Sequence, residues 1–374
     1  MKKVLITGGA GFIGGTLARA LVKQGYRVRV IDNLSEQIHG KDAESPFQHI
    51  PEIEFMCGDV RNKEDWRKAL KDIEVVVHLA AETGTGQSMY EIYRYTDVNI
   101  GGTANLMDIL TNEQHCVQKV IVASSRAIYG EGSYVCKEHG IVYPGVREED
   151  ALANGDFYVK CPLCKNTVEI APTREDAKIN PLSVYGITKQ VQEQLVLTLC
   201  KNLGISALAY RFQNVYGPGQ SLSNPYTGIL SIFSTRIRKG ESINIFEDGK
   251  ESRDFVYIDD VVEALIAGIE LSQCVQESIN IGTGVMTTVE DVVETLMECY
   301  GKKVPVTVSG MYRIGDIRSN YADLQKAREI LGFEPKVSFQ KGISEFAAWV
   351  LDQAAVEGEY EASLNELRER GLLK

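Results

Sequence analysis

The sequence lacks the features that mark membrane proteins, nucleic-acid-binding proteins and disulfide-rich proteins. No apolar stretch approaches the roughly 20 residues of a membrane-spanning helix, and no basic run is present. The 51 acidic and 40 basic residues give a net charge of −11, which offers no surface for nucleic acid or an anionic membrane. Eight cysteines in 374 residues are too sparse for a disulfide scaffold. We therefore expect no nucleic-acid partner, no membrane partner, reduced cysteines and a cytoplasmic location.

The composition is that of a globular protein with a substantial core, since 44% of the residues are hydrophobic and 24% are charged. The length suggests two domains, or one large α/β domain with a smaller companion. Lys2 and Lys3 followed by an apolar run resemble the start of a signal peptide, but Gly8, Gly9 and Gly11 interrupt that run. A strand followed by a turn is therefore expected at this end of the sequence.

Short β-branched segments alternate with amphipathic helical patterns along the chain. Most of the segments are continuously apolar, as expected for strands buried on both faces. The predicted strands are 3–7, 27–32, 54–57, 75–79, 119–124 and 207–212, and predicted helices include 12–24, 99–110 and 185–201. This order predicts an α/β fold with a Rossmann-type, doubly wound parallel sheet. Near the other end, the helical spacing of Tyr360, Leu364 and Leu367 predicts a short docking helix.

The first chemical motif is a glycine turn directly after the first predicted strand. Gly8, Gly11 and Gly14 lie between that strand and the first helix, which is the context required for binding a pyrophosphate. Asp32 ends the next strand, where a carboxylate can bind the hydroxyls of an adenosine ribose. Because a carboxylate would repel a 2′-phosphate, the motif predicts NAD rather than NADP. The alternative is a structural glycine turn beside a solvated Asp32.

The second motif pairs Tyr185 with Lys189, which lie four residues apart and therefore on one face of a helix. A nearby ammonium stabilises a phenolate and so favours Tyr185 as a base near neutral pH. Ser125, just after a predicted strand, is placed to hydrogen-bond the reacting oxygen and complete a Ser, Tyr, Lys site around a nicotinamide ring. Taken alone, the Tyr185 and Lys189 pair would also fit an exposed helix face.

Through these motifs the chain resembles an extended short-chain dehydrogenase/reductase of the nucleotide-sugar epimerase and dehydratase type. The resemblance covers about residues 1–350, and its further segments are 58–60, 78–81, 97–99, 124–130, 211–218, 252–256 and 280–284. It implies catalysis by Ser125, Tyr185 and Lys189 on a dTDP- or UDP-linked sugar. The residues it implies for NAD are Gly8, Gly11, Phe12, Ile13, Gly14, Asp32, Asn33, Asp59, Val60, Leu79, Ala80, Ala81, Asn99, Tyr185 and Lys189. Those it implies for the sugar nucleotide are Ser125, Asn214, Arg253 and Arg318.

The two residues after Ser125 distinguish between two reactions of this family. Related 4,6-dehydratases carry an Asp-Glu pair there as the acid and base that remove water, whereas this chain has Arg126 and Ala127. Dehydration is therefore disfavoured, and epimerisation by reversible oxidation is expected. In that reaction Tyr185 takes the proton of a sugar hydroxyl, NAD takes the hydride, the keto sugar turns over, and the hydride returns to its other face.

A metal site is predicted within residues 134–178, where the strand and helix rhythm is interrupted. Cys136-x2-His139 and, after 21 intervening residues, Cys161-x2-Cys164 supply three thiolates and an imidazole. These four ligands complete a tetrahedral zinc site, so the zinc would be structural and would fix a zinc-ribbon-like insert. The alternative is a chance grouping of unliganded side chains.

The insert, together with residues 87–92 and 223–228, resembles the dTDP-L-rhamnose 4-epimerase branch of the family. That branch has two Cys-x2-Cys pairs, whereas this chain has Cys136 and His139 as its first pair. The resemblance implies conversion of dTDP-L-rhamnose to dTDP-6-deoxy-L-talose. The open alternatives are a UDP-hexose 4-epimerase, a nucleotide-keto-sugar reductase and a non-catalytic NAD-binding sensor whose insert binds a partner.

The predicted organisation has three parts. Residues 1–190 form an NAD-binding domain that contains the insert, residues 191–352 mainly bind the nucleotide sugar and return strands to the sheet, and residues 353–374 form a helical tail. The helix from Tyr185 carries an apolar stripe that another surface must cover. Its members are Ile187, Val191, Leu195 and Leu199. In related enzymes this helix and the one after Asn99 pair with their copies, so the resemblance implies a homodimer.

Overall fold

The structure is a computed structural model that describes residues 2–41, 43–222, 224, 226, 228–354 and 360–374. Its strands are β1 (Lys3–Thr7), β2 (Arg27–Asp32), β3 (Ile53–Cys57), β4 (Val75–His78), β5 (Lys119–Ser125), β6 (Tyr134–Cys136), β7 (Gly140–Val142), β8 (Glu169–Ile170), β9 (Ser206–Phe212), β10 (Asn214–Tyr216), β11 (Ile243–Ile245), β12 (Ser252–Arg253), β13 (Phe255–Tyr257), β14 (Gln276–Ile281), β15 (Thr287–Thr288), β16 (Val306–Val308) and β17 (Ser319–Asn320). Its α-helices are α1 (Phe12–Lys23), α2 (Glu36–His39), α3 (Lys63–Ala69), α4 (Thr85–Ser88), α5 (Ile92–Tyr95), α6 (Gly102–Asn112), α7 (Glu149–Ala153), α8 (Val184–Leu203), α9 (Ile229–Lys239), α10 (Ile258–Glu270), α11 (Val289–Tyr300), α12 (Gln325–Leu331), α13 (Phe339–Asp352) and α14 (Tyr360–Glu369).

Seven parallel strands form the central sheet in the order β3-β2-β1-β4-β5-β9-β14. The chain winds outward in both directions from the boundary between β1 and β4, which defines a doubly wound sheet. The strands near the centre are apolar and fully buried, as shown by β4 and β5. The predicted α/β, Rossmann-type fold is confirmed.

Alternate residues of each strand pack against helices on opposite faces of the sheet. Val4 and Ile6 belong to one core cluster with residues of α1 and α10. Leu5 lies in a second cluster with Trp66 of α3 and residues of α6 and α8. A strand covered on both faces must be continuously apolar, which explains why these segments could be recognised in the sequence.

The structure differs from the predicted elements mainly at helix starts and at one sheet edge. The helix predicted from residue 99 begins as a π-helical turn (Thr96–Gly101), and regular α6 starts at Gly102. Strand β14 was absent from the predicted strands because its first half, Gln-Glu-Ser, is polar and only partly buried. It nevertheless pairs in parallel with β9 along six residues and forms one edge of the sheet.

In the described part of the chain, four small sheets and several helices follow the central sheet or interrupt it, and one of these sheets pairs β10 with β13 in parallel. In the region of the insert, β6 pairs in antiparallel fashion with both β7 and β8. Farther along the chain, β12 pairs with β15 and β17, and β11 pairs with β16. The predicted terminal helix is present as α14, with Leu364 and Leu367 buried. Across the described ranges, no helix is both long enough and apolar enough to span a bilayer.

Candidate functional site

A cavity of about 700 Å³ opens at the carboxyl ends of β1, β4, β5 and β9. Ligands bind at this edge in doubly wound sheets. The predicted site residues that line it are Gly8, Gly11, Phe12, Ile13, Gly14, Asp32, Asn33, Val60, Leu79, Ala80, Ala81, Ser125, Tyr185, Lys189 and Asn214. The predicted residues Asp59, Asn99, Arg253 and Arg318 lie outside its lining. Of the segment 223–228 that carries the resemblance to the dTDP-L-rhamnose branch, residues 223, 225 and 227 lie outside the described residues.

The turn after β1 brings backbone so close to backbone that only glycine fits. Gly8 has a φ of 63°, and its amide donates to the carbonyl oxygen of Ile31 at 2.9 Å. A Cβ on Gly8 would lie 2.8 Å from Cα of Ala80, and a Cβ on Gly14 would lie 2.5 Å from the Gly8 carbonyl oxygen. The amide end of α1 is therefore held close to β1 and faces the cavity, which suits a pyrophosphate.

Asp32 fixes the wall beside that turn. Its Oδ2 accepts a hydrogen bond from the Ala10 amide at 3.0 Å, and its Oδ1 accepts one from the Leu34 amide at 2.9 Å. The carboxylate is thus anchored at the cavity edge, with the imidazole Nε2 of His39 3.6 Å away. A fixed carboxylate next to a glycine turn and a helix amide end is the donor and acceptor set that fits the ribose and pyrophosphate of NAD.

Asp59 and Asn99 support residues of the cavity wall from behind. The Asp59 carboxylate accepts hydrogen bonds from Asn33 Nδ2 at 3.0 Å and Arg61 Nη2 at 2.8 Å. Burial acts to raise the pKa of Asp59, but the bonds from Arg61 and Asn33 bring it to about 2. Asn99 accepts a hydrogen bond from the Glu82 amide at 2.8 Å. Both residues therefore position neighbours that face the cavity, Asn33 and Glu82.

Ser125, Tyr185 and Lys189 meet where α8 packs on β5. Ser183 caps α8 by accepting a hydrogen bond from the Gly186 amide at 3.1 Å. A Cβ on Gly186 would lie 2.6 Å from the Ala127 carbonyl oxygen, so glycine lets α8 start directly against the turn after β5. Lys189 Nζ donates to the Ala123 carbonyl oxygen at 3.0 Å and lies 5.8 Å from the centre of the Tyr185 ring. The predicted three residues are brought together.

Burial shifts the pKa values of both Lys189 and Tyr185. Burial lowers the pKa of Lys189 to about 7. Burial also raises the pKa of Tyr185, while a hydrogen bond with Ser125 and the charge of Arg126 act to lower it. The Tyr185 hydroxyl therefore lies beside Ser125, where it can take a proton from a bound hydroxyl and return it.

Arg126 also belongs to the site, although the sequence pattern indicated no binding role for it. Its Nε donates to Asn214 Oδ1 at 2.8 Å, and its side chain lines both the large cavity and an adjoining cavity of about 60 Å³. Burial lowers the pKa of Arg126 to about 10, with a further contribution from the charge of Arg253. Its position directly after Ser125, at the carboxyl end of a central strand, was the available sequence signal.

Other lining residues were also missed, among them Gln213, Gln220 and Tyr226. Gln213 directly follows β9, and both its side-chain amide atoms are buried without a hydrogen-bond partner among the described residues. A buried amide without a partner costs free energy unless a ligand satisfies it. Its place after the end of a buried strand is the same signal that identified Ser125.

The two predicted substrate arginines both make ion pairs with carboxylates. Arg253 Nη2 lies 3.3 Å from Asp316 Oδ1, and Asp316 lines that cavity. Arg318 makes a two-pronged pair with Asp248, with Nη1 to Oδ1 at 2.6 Å and Nη2 to Oδ2 at 2.9 Å. The guanidinium of Arg318 is thus turned toward Asp248, and its predicted role in substrate binding stays a prediction.

The four predicted metal ligands converge in the insert. Cys136 Sγ lies 3.5 Å from His139 Nδ1 and 3.6 Å from Cys164 Sγ, and Cys161 Sγ lies 3.7 Å from His139 Nδ1. The four candidate ligand atoms are within 4.8 Å of one another. Tetrahedral zinc, with bonds of about 2.3 Å to sulfur and about 2.0 Å to nitrogen, would place them about 3.5–3.8 Å apart. The donor set and its spacing fit zinc.

Comparison with known proteins identifies the family. Residues 4–150 and 163–282 match the model of the NAD dependent epimerase/dehydratase family. The chain is 39% identical to a dTDP-L-rhamnose 4-epimerase of Burkholderia thailandensis, over 94% of this chain and 96% of that protein. It is 30% identical to a putative UDP-glucose 4-epimerase of Methanocaldococcus jannaschii, over 93% and 98% of the two chains.

Solved structures of nucleotide-sugar epimerases have the same fold as this chain. The UDP-glucose 4-epimerase of Thermotoga maritima, with UDP-glucose, has a TM-score of 0.75 and 31% identity over 93% of this chain and 98% of that one. The UDP-glucuronic acid 4-epimerase of Bacillus cereus, with UDP-glucuronic acid and NAD, has a TM-score of 0.73 and 28% identity over 93% and 99%. The chain belongs to the NAD dependent epimerase/dehydratase family, and the family predicted from the sequence is confirmed.

Proposed function

We propose that this NAD-dependent nucleotide-sugar 4-epimerase converts dTDP-L-rhamnose to dTDP-6-deoxy-L-talose. The observation that supports this substrate is the 39% identity to the Burkholderia thailandensis dTDP-L-rhamnose 4-epimerase across nearly the whole of both chains. The second candidate is a UDP-hexose 4-epimerase, which is favoured by the likeness to the Thermotoga maritima enzyme with UDP-glucose. A keto-sugar reductase that releases its cofactor would use the same three catalytic residues.

In the proposed mechanism, the Tyr185 phenolate removes the proton from the hydroxyl on carbon 4 of the sugar. The Ser125 hydroxyl hydrogen-bonds the same oxygen and keeps it beside Tyr185. Bound NAD supplies a hydride acceptor for carbon 4 and a hydride donor for the return step. Lys189 would hold the nicotinamide ribose and, in its protonated form, places a cation near Tyr185. The keto sugar then rotates within the site and presents the other face of carbon 4. Tyr185 returns the proton to the oxygen on carbon 4, so the net change is inversion at that carbon.

The diphosphate of the substrate would lie between Asn214, Arg126 and Arg253. Arg126 reaches toward Asn214 through its Nε and lines both cavities, while Arg253 lies beside the adjoining cavity through its pair with Asp316. A diphosphate placed there would offset the charge of these arginines and accept their hydrogen bonds. We also propose that Arg318 contacts the nucleoside of the substrate, as the sequence led us to expect.

We further propose that Cys136, His139, Cys161 and Cys164 bind one structural zinc ion. Three strands and a small apolar cluster form the insert, and that cluster includes Cys136 and Cys161 themselves. A cluster this small needs an additional constraint to stay folded. With four protein ligands, the ion would have no open position for catalysis.

We also propose the predicted division of the chain into three parts. These are residues 1–190 with the insert 134–178, residues 191–352 and residues 353–374.

We further propose that the protein forms a homodimer. Ile187 on α8 is 47% exposed, and Ile92 and Tyr93 before α6 are 52% and 80% exposed. Exposed apolar side chains on two packed helical segments suit a symmetric helix interface. Light scattering at micromolar concentration should therefore report a dimer, and a monomer would contradict this part of the proposal.

The proposed reaction is tested by incubating the purified protein with a panel of dTDP- and UDP-linked sugars and following the products by NMR. Inversion at carbon 4 of dTDP-L-rhamnose, with no added NAD because the cofactor copurifies, is the expected result. Preferred turnover of a UDP-hexose would replace the substrate assignment. A need for added NADH and a reduced product would indicate the reductase, and binding of NAD without turnover of any sugar would indicate a sensor.

A further inference from the structure

The end of the chain lies beside the site rather than on a remote surface. After α14, residues 372–374 run alongside residues 312–314. The Tyr312 amide donates to the Lys374 carbonyl oxygen at 2.8 Å, the Lys374 amide donates back to Tyr312 at 3.0 Å, and the Ile314 amide donates to Leu372 at 3.0 Å. Residues 360–374, here called the C-terminal segment, are therefore hydrogen-bonded to the loop that contains Asp316. Asp316 lines the adjoining cavity.

Apolar contacts fix the C-terminal segment in the same place. Leu364, Leu367 and Leu373 are buried in a cluster with Tyr90 and Phe246. Leu367 and Leu372 also line the adjoining cavity of about 60 Å³, opposite Arg126 and Arg313. Burial of three leucines is worth several kcal/mol, enough to hold a ten-residue helix against the body of the protein. The C-terminal segment thus forms one wall of that cavity.

One polar side chain of the C-terminal segment faces the large cavity's wall. Glu366 Oε2 accepts hydrogen bonds from the Tyr90 hydroxyl at 2.8 Å and from the Tyr226 hydroxyl at 2.7 Å. The two phenol oxygens are 2.8 Å apart. Each phenol has a single hydrogen, so an ionised carboxylate can accept from both at once. The Arg370 guanidinium lies 4.1 Å from the centre of the Tyr90 ring and supports the arrangement from outside.

Tyr226 connects this arrangement to the substrate site, because Tyr226 lines the large cavity. Gly84 lies close to the base of this side chain, since a Cβ on Gly84 would lie 3.2 Å from Tyr226 Cβ. Tyr226 is therefore confined by Gly84 at its Cβ and hydrogen-bonded to Glu366 through its hydroxyl. A tyrosine in a cavity wall offers an apolar ring face to the carbon side of a sugar and a hydroxyl at its edge.

We propose that the C-terminal segment is part of the substrate-binding site and that Glu366 is a positioning residue, which holds Tyr226 as a contact for the sugar. This inference rests on the proposed function, since it assumes that a sugar nucleotide occupies the cavity. Glu366 itself touches no reacting atom. Its loss should therefore weaken binding of the sugar nucleotide and leave the proton and hydride transfers nearly unchanged.

The test compares Glu366→Ala and Glu366→Gln with Glu369→Ala, an exposed acid on the same helix. For Glu366→Ala we expect KM for the sugar nucleotide to rise about tenfold, with kcat within about threefold of wild type, as for loss of a charge-assisted hydrogen bond. Glu366→Gln keeps one acceptor oxygen and should recover part of the affinity. Glu369→Ala should match the wild type. NAD content and melting temperature should be the same in all three variants.

A KM within twofold of wild type for Glu366→Ala would overturn the proposal. A parallel loss of NAD and of thermal stability would also overturn it, because Glu366 would then only stabilise the fold. Calorimetric binding of dTDP-L-rhamnose and UDP-glucose, together with a crystal structure of Glu366→Ala, tests the position of Tyr226 without turnover. If the wild type turns over no sugar, the proposed function fails, whereas an unmoved Tyr226 in that crystal structure would refute only the role of Glu366.

Discussion

On the cofactor side of the cavity, the wall comes from short stretches that directly follow neighbouring strands: residues 8–16 after β1, residues 31–39 at the end of β2, and residues 79–81 after β4. On the side proposed for the sugar, here called the sugar side, the lining includes Arg126, Tyr185, Gln213 and Tyr226 from distant parts of the chain, and the C-terminal segment hydrogen-bonds one of them. The first side is determined by local strand and turn geometry. The second depends on which remote segments converge, so the two sides should respond differently to substitution.

The largest expected effect lies where the two sides meet. Tyr185→Phe removes the proton acceptor but keeps the ring, so turnover should fall about 10²- to 10⁴-fold while NAD stays bound. Stopped assays with the preferred sugar nucleotide measure turnover, and the absorbance of released cofactor measures NAD content. Tyr158→Phe, an exposed tyrosine of the insert, is the matched control. Near-normal turnover by Tyr185→Phe would remove the proposed mechanism.

A smaller effect is expected on the cofactor side alone. Asp32→Ala removes a carboxylate that two backbone amides hold at the cavity edge. NAD affinity should drop about tenfold and discrimination against NADP should relax, since the negative charge that repels a 2′-phosphate is gone. Titration of cofactor-free protein with NAD and NADP measures both changes. Glu36→Ala, an exposed neighbour, should change neither. An unchanged preference would mean that another group recognises the ribose.

The same contrast explains how far the sequence could predict the molecule. The glycines 8, 11 and 14 with Asp32, and the pair Tyr185 and Lys189, have fixed spacings, because one turn or one helix sets their geometry. The edge strand β14 was missed because half of it is polar. Tyr226 and Glu366 lie 140 residues apart and meet only through tertiary packing. No local sequence pattern marks such a pair. Some residues of the sugar side could therefore be predicted from the sequence, but the contacts between them could not.

On the sugar side, Arg126 gives a prediction with a defined pH dependence. Arg126→Gln should raise KM for the sugar nucleotide about tenfold, since a charge-assisted contact to the diphosphate is lost. The charge of Arg126 also acts to lower the pKa of Tyr185. Without it, the phenol is harder to deprotonate, so the acidic limb of the kcat/KM profile should move to higher pH.

Arg328→Ala, an exposed arginine paired with Glu334, serves as the control for Arg126→Gln. An acidic limb that stays in place, or that moves to lower pH, would separate Arg126 from Tyr185. A KM that rises for UDP-glucuronate but not for neutral sugars would assign Arg126 to a sugar carboxylate rather than to the diphosphate. NAD content should not change, which places the defect on the sugar side.

The smallest effect on catalysis is expected from the metal site, because its four ligands lie in the insert and none lines the large cavity. Elemental analysis should find about one zinc and no iron per chain, since three sulfurs and one nitrogen in a tetrahedron suit zinc. Thiolates bind only after losing their protons, so acidification should release the metal. Cys161→Ser should lower zinc content and the melting temperature and speed proteolysis within 134–178, while NAD content stays normal.

Cys116→Ser, which changes an exposed cysteine outside the insert, should behave like the wild type. Some loss of sugar affinity is expected for Cys161→Ser, because Arg147 of the insert pairs with Glu247 through two bonds of 2.7 Å and so connects the insert to the part proposed to bind the nucleotide sugar. That loss should appear in KM rather than in kcat, since Ser125, Tyr185 and Lys189 are held by β5 and α8. A native protein without metal, with the insert equally resistant to protease in both variants, would refute the zinc site and weaken the assignment to dTDP-L-rhamnose.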